Sequence, residues 1–331
     1  MPVVRGGFAS TAQVCHTDNR PLPTDHFFSV PPCLCGFSSS PEGTQVTTGE
    51  ERFVHAFLPS GVEFAADLLP QRSTVALCFR MLVGVADDPL ELTGLGSIVE
   101  QTISKGTQNH DGRALADAFD RLGAQWSSSS GRQSMLVRAL CLPEFVAAVV
   151  ELLAEMFVRP TFPDDACRVA VELAQQELRQ MEDEPGELLR RMIQRLTLGP
   201  VLGRYAGGEP DSLPRLTPGV VREHWRRFYH AGRVQVAVSG PVDADALAEQ
   251  LERCFARLGS ADRLGRDDAD FAFQPVREHQ HKELEQQYIG ITLPGLDREH
   301  ADFPVEQVLL GVLSGGMSGR PDEDDPYFAF G

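Results

Sequence analysis

Three polar residues in the stretch from Leu92 to Thr107 have the spacing of a catalytic metal motif. The stretch, LTGLGSIVEQTISKGT, has the pattern of a short amphipathic helix followed by a Lys-Gly-Thr stop. Ser97, Glu100 and Gln101 stand at positions i, i+3 and i+4, so one face of that helix carries all three. The same spacing occurs in the zinc motif His-x-x-Glu-His. Here Glu100 occupies the position of the general base, whereas Ser97 and Gln101 occupy the positions of the two metal ligands.

The composition excludes several classes of function. The chain has 331 residues, 42% of them hydrophobic, and a formal net charge of −17. The length predicts about two domains with a real hydrophobic core. Such an acidic chain is not expected to bind nucleic acid or an anionic membrane. No apolar run approaches the ~20 residues of a membrane span, and the N-terminus lacks the apolar segment of a secretory signal. We therefore expect a cytoplasmic protein.

Cysteine and histidine residues elsewhere give weaker metal candidates. The seven cysteines are irregularly spaced, and their odd number argues against a disulfide framework. Cys33 and Cys35, taken with residues 15–16, have a spacing that fits no zinc knuckle. His279 and His281 would point to the same side of an extended strand, but the charged, irregular sequence around them favours a solvated pair.

Alternating and helical hydrophobic patterns predict an α+β fold, in which helices cover one face of an antiparallel or mixed sheet. Asp111 is predicted to cap one helix. In chain order the predicted elements are a hairpin over 53–69, a strand over 73–85, the helix of the opening stretch, a helix after Asp111, two strands between 125 and 142, four helices between 143 and 230, a strand over 233–239, a helix over 243–258, a strand over 286–295 and a helix over 303–313.

Four segments are predicted along the chain. Residues 1–51 are rich in Pro, Gly, Ser and Thr and lack periodicity, which predicts a poorly ordered extension. Residues 52–258 hold the α+β domain, and the charged, irregular residues 259–283 form a linker. Residues 284–331 begin a second, similar domain with one strand and one helix. Such a fragment leaves a sheet edge and an apolar face uncovered, so either the product is truncated or a partner completes the fold.

Several ordered motifs carry a family resemblance. They are LPSGVEF, GLGSIVEQTISKGT, VELAQQELRQMEDEP, SLPRLTPGVVREHWRRFYHAGRVQVAVSGPVDADAL, EQQYIGITLPG and VLLGVLSGGMSGR. Together they resemble the pitrilysin/insulinase family of zinc metallopeptidases, in its short branch that includes the processing peptidases. The resemblance implies a peptidase-like half-clamshell domain followed by the start of a second one.

The resemblance assigns family roles to four positions. The two histidine ligands fall on Ser97 and Gln101, the general base on Glu100, and the third ligand, a glutamate, on Glu177. A supporting glutamate falls on Ala170 and is therefore missing. Zinc in active family members needs good donors, and a hydroxyl and a carboxamide are poor ones. We therefore expect no bound cofactor, and a vestigial role for Glu100.

Glu177 is expected to face the protein core. The apolar stripe of its helix comprises Ala166, Val169, Ala170, Leu173, Ala174 and Met181. Glu177 lies on this stripe, and a buried carboxylate needs a partner. We predict a hydrogen-bonded cluster of Glu177 with Ser97 and Gln101 rather than a bound ion.

A peptide-binding strand is also implied by the resemblance. In the family, the substrate adds as a strand beside the sheet edge near the zinc helix. The corresponding segment here begins with Gln125, Trp126, Ser127 and Ser128. Because strand addition uses backbone groups, it survives the loss of the metal.

The leading hypothesis is a non-catalytic partner subunit of an active zinc peptidase, since family members pair as two subunits of which one carries zinc. The expected partners are that active homologue and an extended peptide. Two alternatives remain open: an active zinc metalloendopeptidase with an atypical site, and a truncated product without function.

Overall fold

The computed structural model describes residues 9–12, 46–48, 51–259, 275–284 and 286–314. The strands are β1 (Ala9–Ala12), β2 (Val46–Thr48), β3 (Glu51–Phe57), β4 (Glu63–Leu68), β5 (Val75–Met81), β6 (Gln125–Ser130), β7 (Met135–Cys141), β8 (Val234–Gly240) and β9 (Ile291–Pro294). The helices are α1 (Leu95–Ile103), α2 (Gly112–Arg121), α3 (Val146–Val158), α4 (Asp164–Glu182), α5 (Pro185–Leu202), α6 (Pro218–Phe228), α7 (Ala244–Phe255) and α8 (Phe303–Ser314).

A seven-stranded mixed sheet organises most of these elements. Its strand order is β2-β3-β4-β8-β5-β7-β6. All neighbours are antiparallel except β4 and β8, which run parallel. The late strand β8 therefore enters between the early strands β4 and β5. Among the described residues, β6 is the edge strand on the side of β7.

Alternating side chains place the hydrophobic core on one face of this sheet. In β5, Val75, Leu77, Phe79 and Met81 are buried, while the residues between them are exposed or half-buried. The ring centroid of Phe79 lies 6.1 Å from that of Phe157 in α3 and 6.1 Å from that of Phe255 in α7. Aromatic rings at this separation attract each other as well as excluding water. Helices α3 and α7 therefore cover the apolar face of β5, and the predicted α+β fold class is confirmed.

The helix ends follow the sequence signals. Asp111 accepts a hydrogen bond from Ala114 N at 2.8 Å and so caps α2 as predicted. Thr217 caps α6 in the same way and is followed by Pro218, a residue that suits the first helical position. Both caps satisfy backbone N–H groups that have no partner within the helix.

The described elements divide into two compact units. One comprises residues 41–179 and 204–267 and holds the seven-stranded sheet. The other comprises 1–40, 180–203 and 268–331, and contains α5, α8 and the antiparallel pair β1–β9. The short strands β1 and β2 lie in the segment for which the sequence showed no strand periodicity; the rest of residues 1–50 lies outside the described residues. The domain boundaries inferred from sequence stay a prediction.

In the part of the chain that the structure describes, no helix is long and apolar enough to cross a membrane.

Candidate functional site

Helix α1 begins at a close contact between two glycines. Gly94 has φ of +101°, and Gly208 lies against it with φ of +100°. A Cβ on Gly94 would lie 2.6 Å from Gly208 Cα and 2.9 Å from Gly208 N. Glycine is needed at position 94 for two reasons, the left-handed backbone and the lack of room for a side chain. This contact fixes where the helix starts.

Asp88 caps the first turn of α1 from a buried position. Its Oδ2 accepts from Gly94 N at 2.9 Å, and its Oδ1 accepts from Gly96 N at 3.0 Å. Burial raises the pKa of Asp88 to about 7, although both backbone hydrogen bonds oppose the rise. A carboxylate suits a helix N-terminus, yet here the lack of water stabilises its neutral form.

Arg204 holds the loop that carries Asp88. Its Nη2 donates to Val85 O at 2.6 Å, and its Nη1 donates to Asp88 O at 2.9 Å and to Thr93 Oγ1 at 3.1 Å. One guanidinium thus satisfies acceptors along most of the loop before α1. Ser212 adds a hydrogen bond from its Oγ to Thr93 O at 2.6 Å.

His224 of α6 completes the buried cluster. Its side chain is 2% exposed, and its Nε2 lies 4.0 Å from Asp88 Oδ1. Burial lowers the pKa of His224 to about 4. Asp88, Arg204 and His224 were not singled out from the sequence, because more than 100 residues separate the last two from the loop they contact. No local pattern marks such a cluster.

On the face of α1 that carries Ser97, Glu100 and Gln101, the Glu100 side chain is hydrogen-bonded to the edge strand β6. Its Oε1 accepts a short hydrogen bond from Ser128 Oγ in β6. Burial raises the pKa of Glu100, while the hydrogen bond from Ser128 and the charge of Lys105 act in the opposite direction. This contact joins the position of the family's general base to the strand predicted to receive a peptide.

The two ligand positions on α1 and the third on α4 are not joined. Ser97 and Gln101 are half-buried, and Glu177 is exposed. None of the three side chains makes a hydrogen bond to another described residue, and Glu177 is exposed, so the predicted cluster of Ser97, Gln101 and Glu177 is wrong for this structure.

The reason is the face of α4 that is buried. Its buried residues are Cys167, Ala170, Ala174, Leu178 and Met181. Val169 and Leu173 are about half exposed, at 50% and 49%, and Glu177 follows them on that outer side. The apolar residues of α4 cover a wide arc, and the sequence assigned Glu177 to the wrong part of it.

The segment that follows α1, which contains Lys-Gly-Thr, is hydrogen-bonded to α3. Glu155 Oε1 accepts a short hydrogen bond from Thr107 Oγ1 and another from Asn109 N at 3.1 Å. His110 Nδ1 lies 3.2 Å from Glu155 Oε2. Burial would raise the pKa of Glu155, but these hydrogen bonds and His110 together lower it. His110 thus serves this turn rather than the face of α1.

A zinc ion does not fit the donor atoms on this site. Within the described ranges, no three His, Cys, Asp or Glu residues come together as a metal-binding group. The ligand positions offer a hydroxyl, a carboxamide and an exposed carboxylate, whereas catalytic zinc takes three good protein donors. These three side chains therefore do not support a metal-dependent reaction step at this site.

Among the described strands, β6 has no neighbour on the side away from β7. Gly131 N donates to its register partner Ser134 O at 2.9 Å. Opposed residues in an antiparallel pair alternate between bonded and non-bonded, so Ser129 and Ser127 bond to β7. The backbone groups of Ser130 and Ser128 are then directed to the open edge. Gln125 and Trp126 lie in the same strand.

Comparison with known proteins matches this fold to one peptidase family. A profile described as insulinase (peptidase family M16) matches residues 64–200. A second, described as peptidase M16 inactive domain, matches residues 215–320. These two matches, together with the fold, define the class of the chain as a metallopeptidase-like domain. The chain belongs to the peptidase M16 (insulinase/pitrilysin) family.

Two curated relatives are bacterial zinc proteases described as uncharacterized. The one from Bacillus subtilis is 25% identical over 269 residues, which cover 80% of this chain and 64% of the relative. The one from Streptomyces coelicolor is 24% identical over 273 residues, which cover 80% and 59%. The chain thus spans less than two thirds of the length of these relatives.

Solved structures share the fold at low identity. A peptidase M16 inactive domain from Pseudomonas fluorescens has a TM-score of 0.65 at 17% identity, over 81% of this chain and 65% of that chain. Pitrilysin has a TM-score of 0.57 at 15% identity, over 66% and 24%.

Proposed function

We propose that this chain is a non-catalytic member of its family, which holds extended peptides and acts in the cytoplasm beside an active homologous zinc peptidase. The observation that carries the proposal is the donor set on α1, where Ser97 and Gln101 stand in the ligand positions around Glu100. Without a good donor at either position, the family's metal-activated water has no place to form.

The state of Glu100 supports a structural rather than a catalytic role. Its carboxylate accepts a hydrogen bond from the hydroxyl group of Ser128 and is thereby directed at the sheet. A general base must lie within hydrogen-bond reach of the proton it removes. In this arrangement Glu100 braces α1 against β6 and so stabilises the strand to which a peptide would bind.

The edge of β6 supports peptide binding. Three of its side chains, Gln125, Ser127 and Ser129, are exposed, and the backbone groups of alternate residues are directed away from β7. An extended peptide placed here would gain main-chain hydrogen bonds irrespective of its sequence.

An apolar face in the second unit supports a protein partner. Helix α8 carries five apolar residues at helical spacing, Val305, Val308, Leu309, Val312 and Leu313, which are 49–67% exposed among the described residues. A continuous apolar stripe of this kind is typical of an interaction surface. We assign it to the homologous peptidase subunit.

Reconstitution tests this role. The chain would be mixed with a homologue from the same genome that has an intact His-x-x-Glu-His motif, and cleavage of a fluorogenic peptide measured. We expect cleavage only by the mixture, together with a 1:1 complex in light scattering. The idea is excluded by chelator-sensitive cleavage by this chain alone, which indicates an atypical active peptidase. It is equally excluded by an inactive chain that binds neither homologue nor peptide.

A proline at the open edge of β6 tests the peptide site separately. Ser130→Pro removes an N–H directed away from β7, and proline is tolerated at such edge positions. We expect binding of a fluorescent extended peptide to weaken about tenfold, the equivalent of one net hydrogen bond at about 1.4 kcal/mol, with little loss of stability.

The matched control is Ser129→Pro, which removes an N–H that bonds to β7. This variant is expected to lower the unfolding free energy, because a ladder hydrogen bond is lost. Equal peptide affinity of wild type and Ser130→Pro would rule out binding along this edge.

A further inference from the structure

Asp88 and His224 form a buried pair of ionisable side chains at the first turn of α1. Their side chains are 0% and 2% exposed, and His224 Nε2 lies 4.0 Å from Asp88 Oδ1. A buried charge is costly unless it is paired and hydrogen-bonded. The protonation of this pair therefore matters for the fold.

The hydrogen bonds of Asp88 leave one direction open for a proton. Both carboxyl oxygens already accept backbone N–H groups from the first turn of α1. A protonated Asp88 must therefore donate to a further acceptor. His224 Nε2 is buried and has no hydrogen-bond partner among the described residues. An approach of about 1 Å would bring it to O–H···N hydrogen-bond distance.

We infer that Asp88 and His224 share a single proton, and that this pair is the device that positions the first turn of α1. In the shared state Asp88 accepts from α1 and donates to α6, so one carboxyl group connects the two helices without a net buried charge. The inference rests on this contact alone and does not depend on the proposed peptide role.

The surrounding charges are compatible with a neutral pair. Asp87 is bound to Arg233, with 3.0 Å between Oδ1 and Nη1, so these two charges largely offset each other near His224. Arg227 also faces His224. On the Asp88 side lie Arg204, which donates to backbone carbonyls, and the buried phenol of Tyr229.

Proton linkage gives the pair a distinctive pH dependence. Burial raises the pKa of Asp88 from 3.8 to about 7, so its contribution to stability is full below 3.8 and is lost as the pH rises through 7. Burial lowers the pKa of His224 from 6.5 to about 4, so its contribution is full above 6.5 and is lost as the pH falls through 4. Between pH 4 and 6.5 the pair holds one proton in the folded state and one in the unfolded state. In this range the opposite effects of pH on the contributions of Asp88 and His224 to stability therefore cancel.

A four-variant cycle tests the shared proton. Unfolding equilibrium constants of wild type, Asp88→Asn, His224→Gln and the double variant would be measured from pH 4 to 6.5. Relative to wild type, we expect the constant of Asp88→Asn to rise about tenfold per unit as the pH falls, and that of His224→Gln to rise about tenfold per unit as the pH rises. The double variant should run parallel to wild type.

If the pair had a purely structural role, each substitution would change the unfolding constant by the same factor at every pH. Curves of the three variants that run parallel to that of wild type would therefore overturn the inference. If a variant does not fold, NMR of the wild type decides. One titration step near pH 7, seen by both the Asp88 carboxyl carbon and the His224 ring, supports the shared proton. No step between pH 8 and 5, or two separate steps, refutes it.

Discussion

Replacing Gly94 by alanine is expected to destabilise the protein by about 3 kcal/mol or more. A left-handed backbone costs an alanine roughly 1–2 kcal/mol, and the new Cβ would lie 2.6 Å from Gly208 Cα. Because the obstructing atoms are backbone, neither side can rotate away, and the start of α1 must shift. Chemical denaturation of the variant and the wild type measures the difference in unfolding free energy.

Gly219→Ala is the matched control, since it makes the same change in the same unit. The nearest atom to a Cβ there is Thr217 Oγ1 at 3.8 Å, and no left-handed backbone is involved. We expect a change within about 1 kcal/mol, towards greater stability, because alanine restricts the unfolded chain. A Gly94→Ala protein as stable as Gly219→Ala would show that the two-glycine contact does not define the start of α1.

The shift of α1 expected in Gly94→Ala would also move the helix face that carries Ser97, Glu100 and Gln101. The first turn of α1 is held by Asp88, the loop before it by Arg204, and its far end by the contact of Glu100 with Ser128. A shift of the helix therefore disturbs the groups that connect it to β6. The position of α1 therefore depends on Asp88 and Arg204, which lie outside the family's ligand positions.

Local patterns predicted most of the elements of this fold. The hairpin around Pro59, the cap at Asp111 and the alternation in β5 and β7 are short-range signals, and each element formed near its expected bounds. The place of β8 between β4 and β5 could not be predicted in this way. Its pairing joins residues more than 150 positions apart, and no local periodicity records such a contact.

The candidate site likewise has some features that a local sequence pattern predicts and others that depend on tertiary packing. The shared face of Ser97, Glu100 and Gln101 follows from helical spacing alone, whereas the outward direction of Glu177 does not. On α4 the rows containing Ala170 and Val169 are both apolar, and only packing decides which one is buried. The cluster of Asp88, Arg204 and His224 is a long-range contact of single polar residues, which leaves no sequence pattern.

Introducing histidines at Ser97 and Gln101 of α1 is expected to raise the zinc affinity of the chain strongly. Ser97→His with Gln101→His places two imidazoles at i and i+4 on one helical face, the spacing of the zinc motif. After dialysis we expect about one zinc ion per chain for the double variant, because imidazole supplies the donor that hydroxyl and carboxamide lack. Elemental analysis of the purified proteins measures the ratio.

Three controls separate the possible outcomes. Either single histidine variant should retain no stoichiometric zinc, since one imidazole makes no site. Adding Glu177→Gln to the double variant tests whether α4 supplies the third ligand; if it does, zinc affinity falls by more than the roughly 10–100-fold typical of losing an outer-shell partner. An unchanged affinity would leave Glu177 as the exposed side chain seen on α4. Zinc bound at one equivalent by the wild type would instead sink the proposed non-catalytic role, because the donors on α1 would then suffice as they stand.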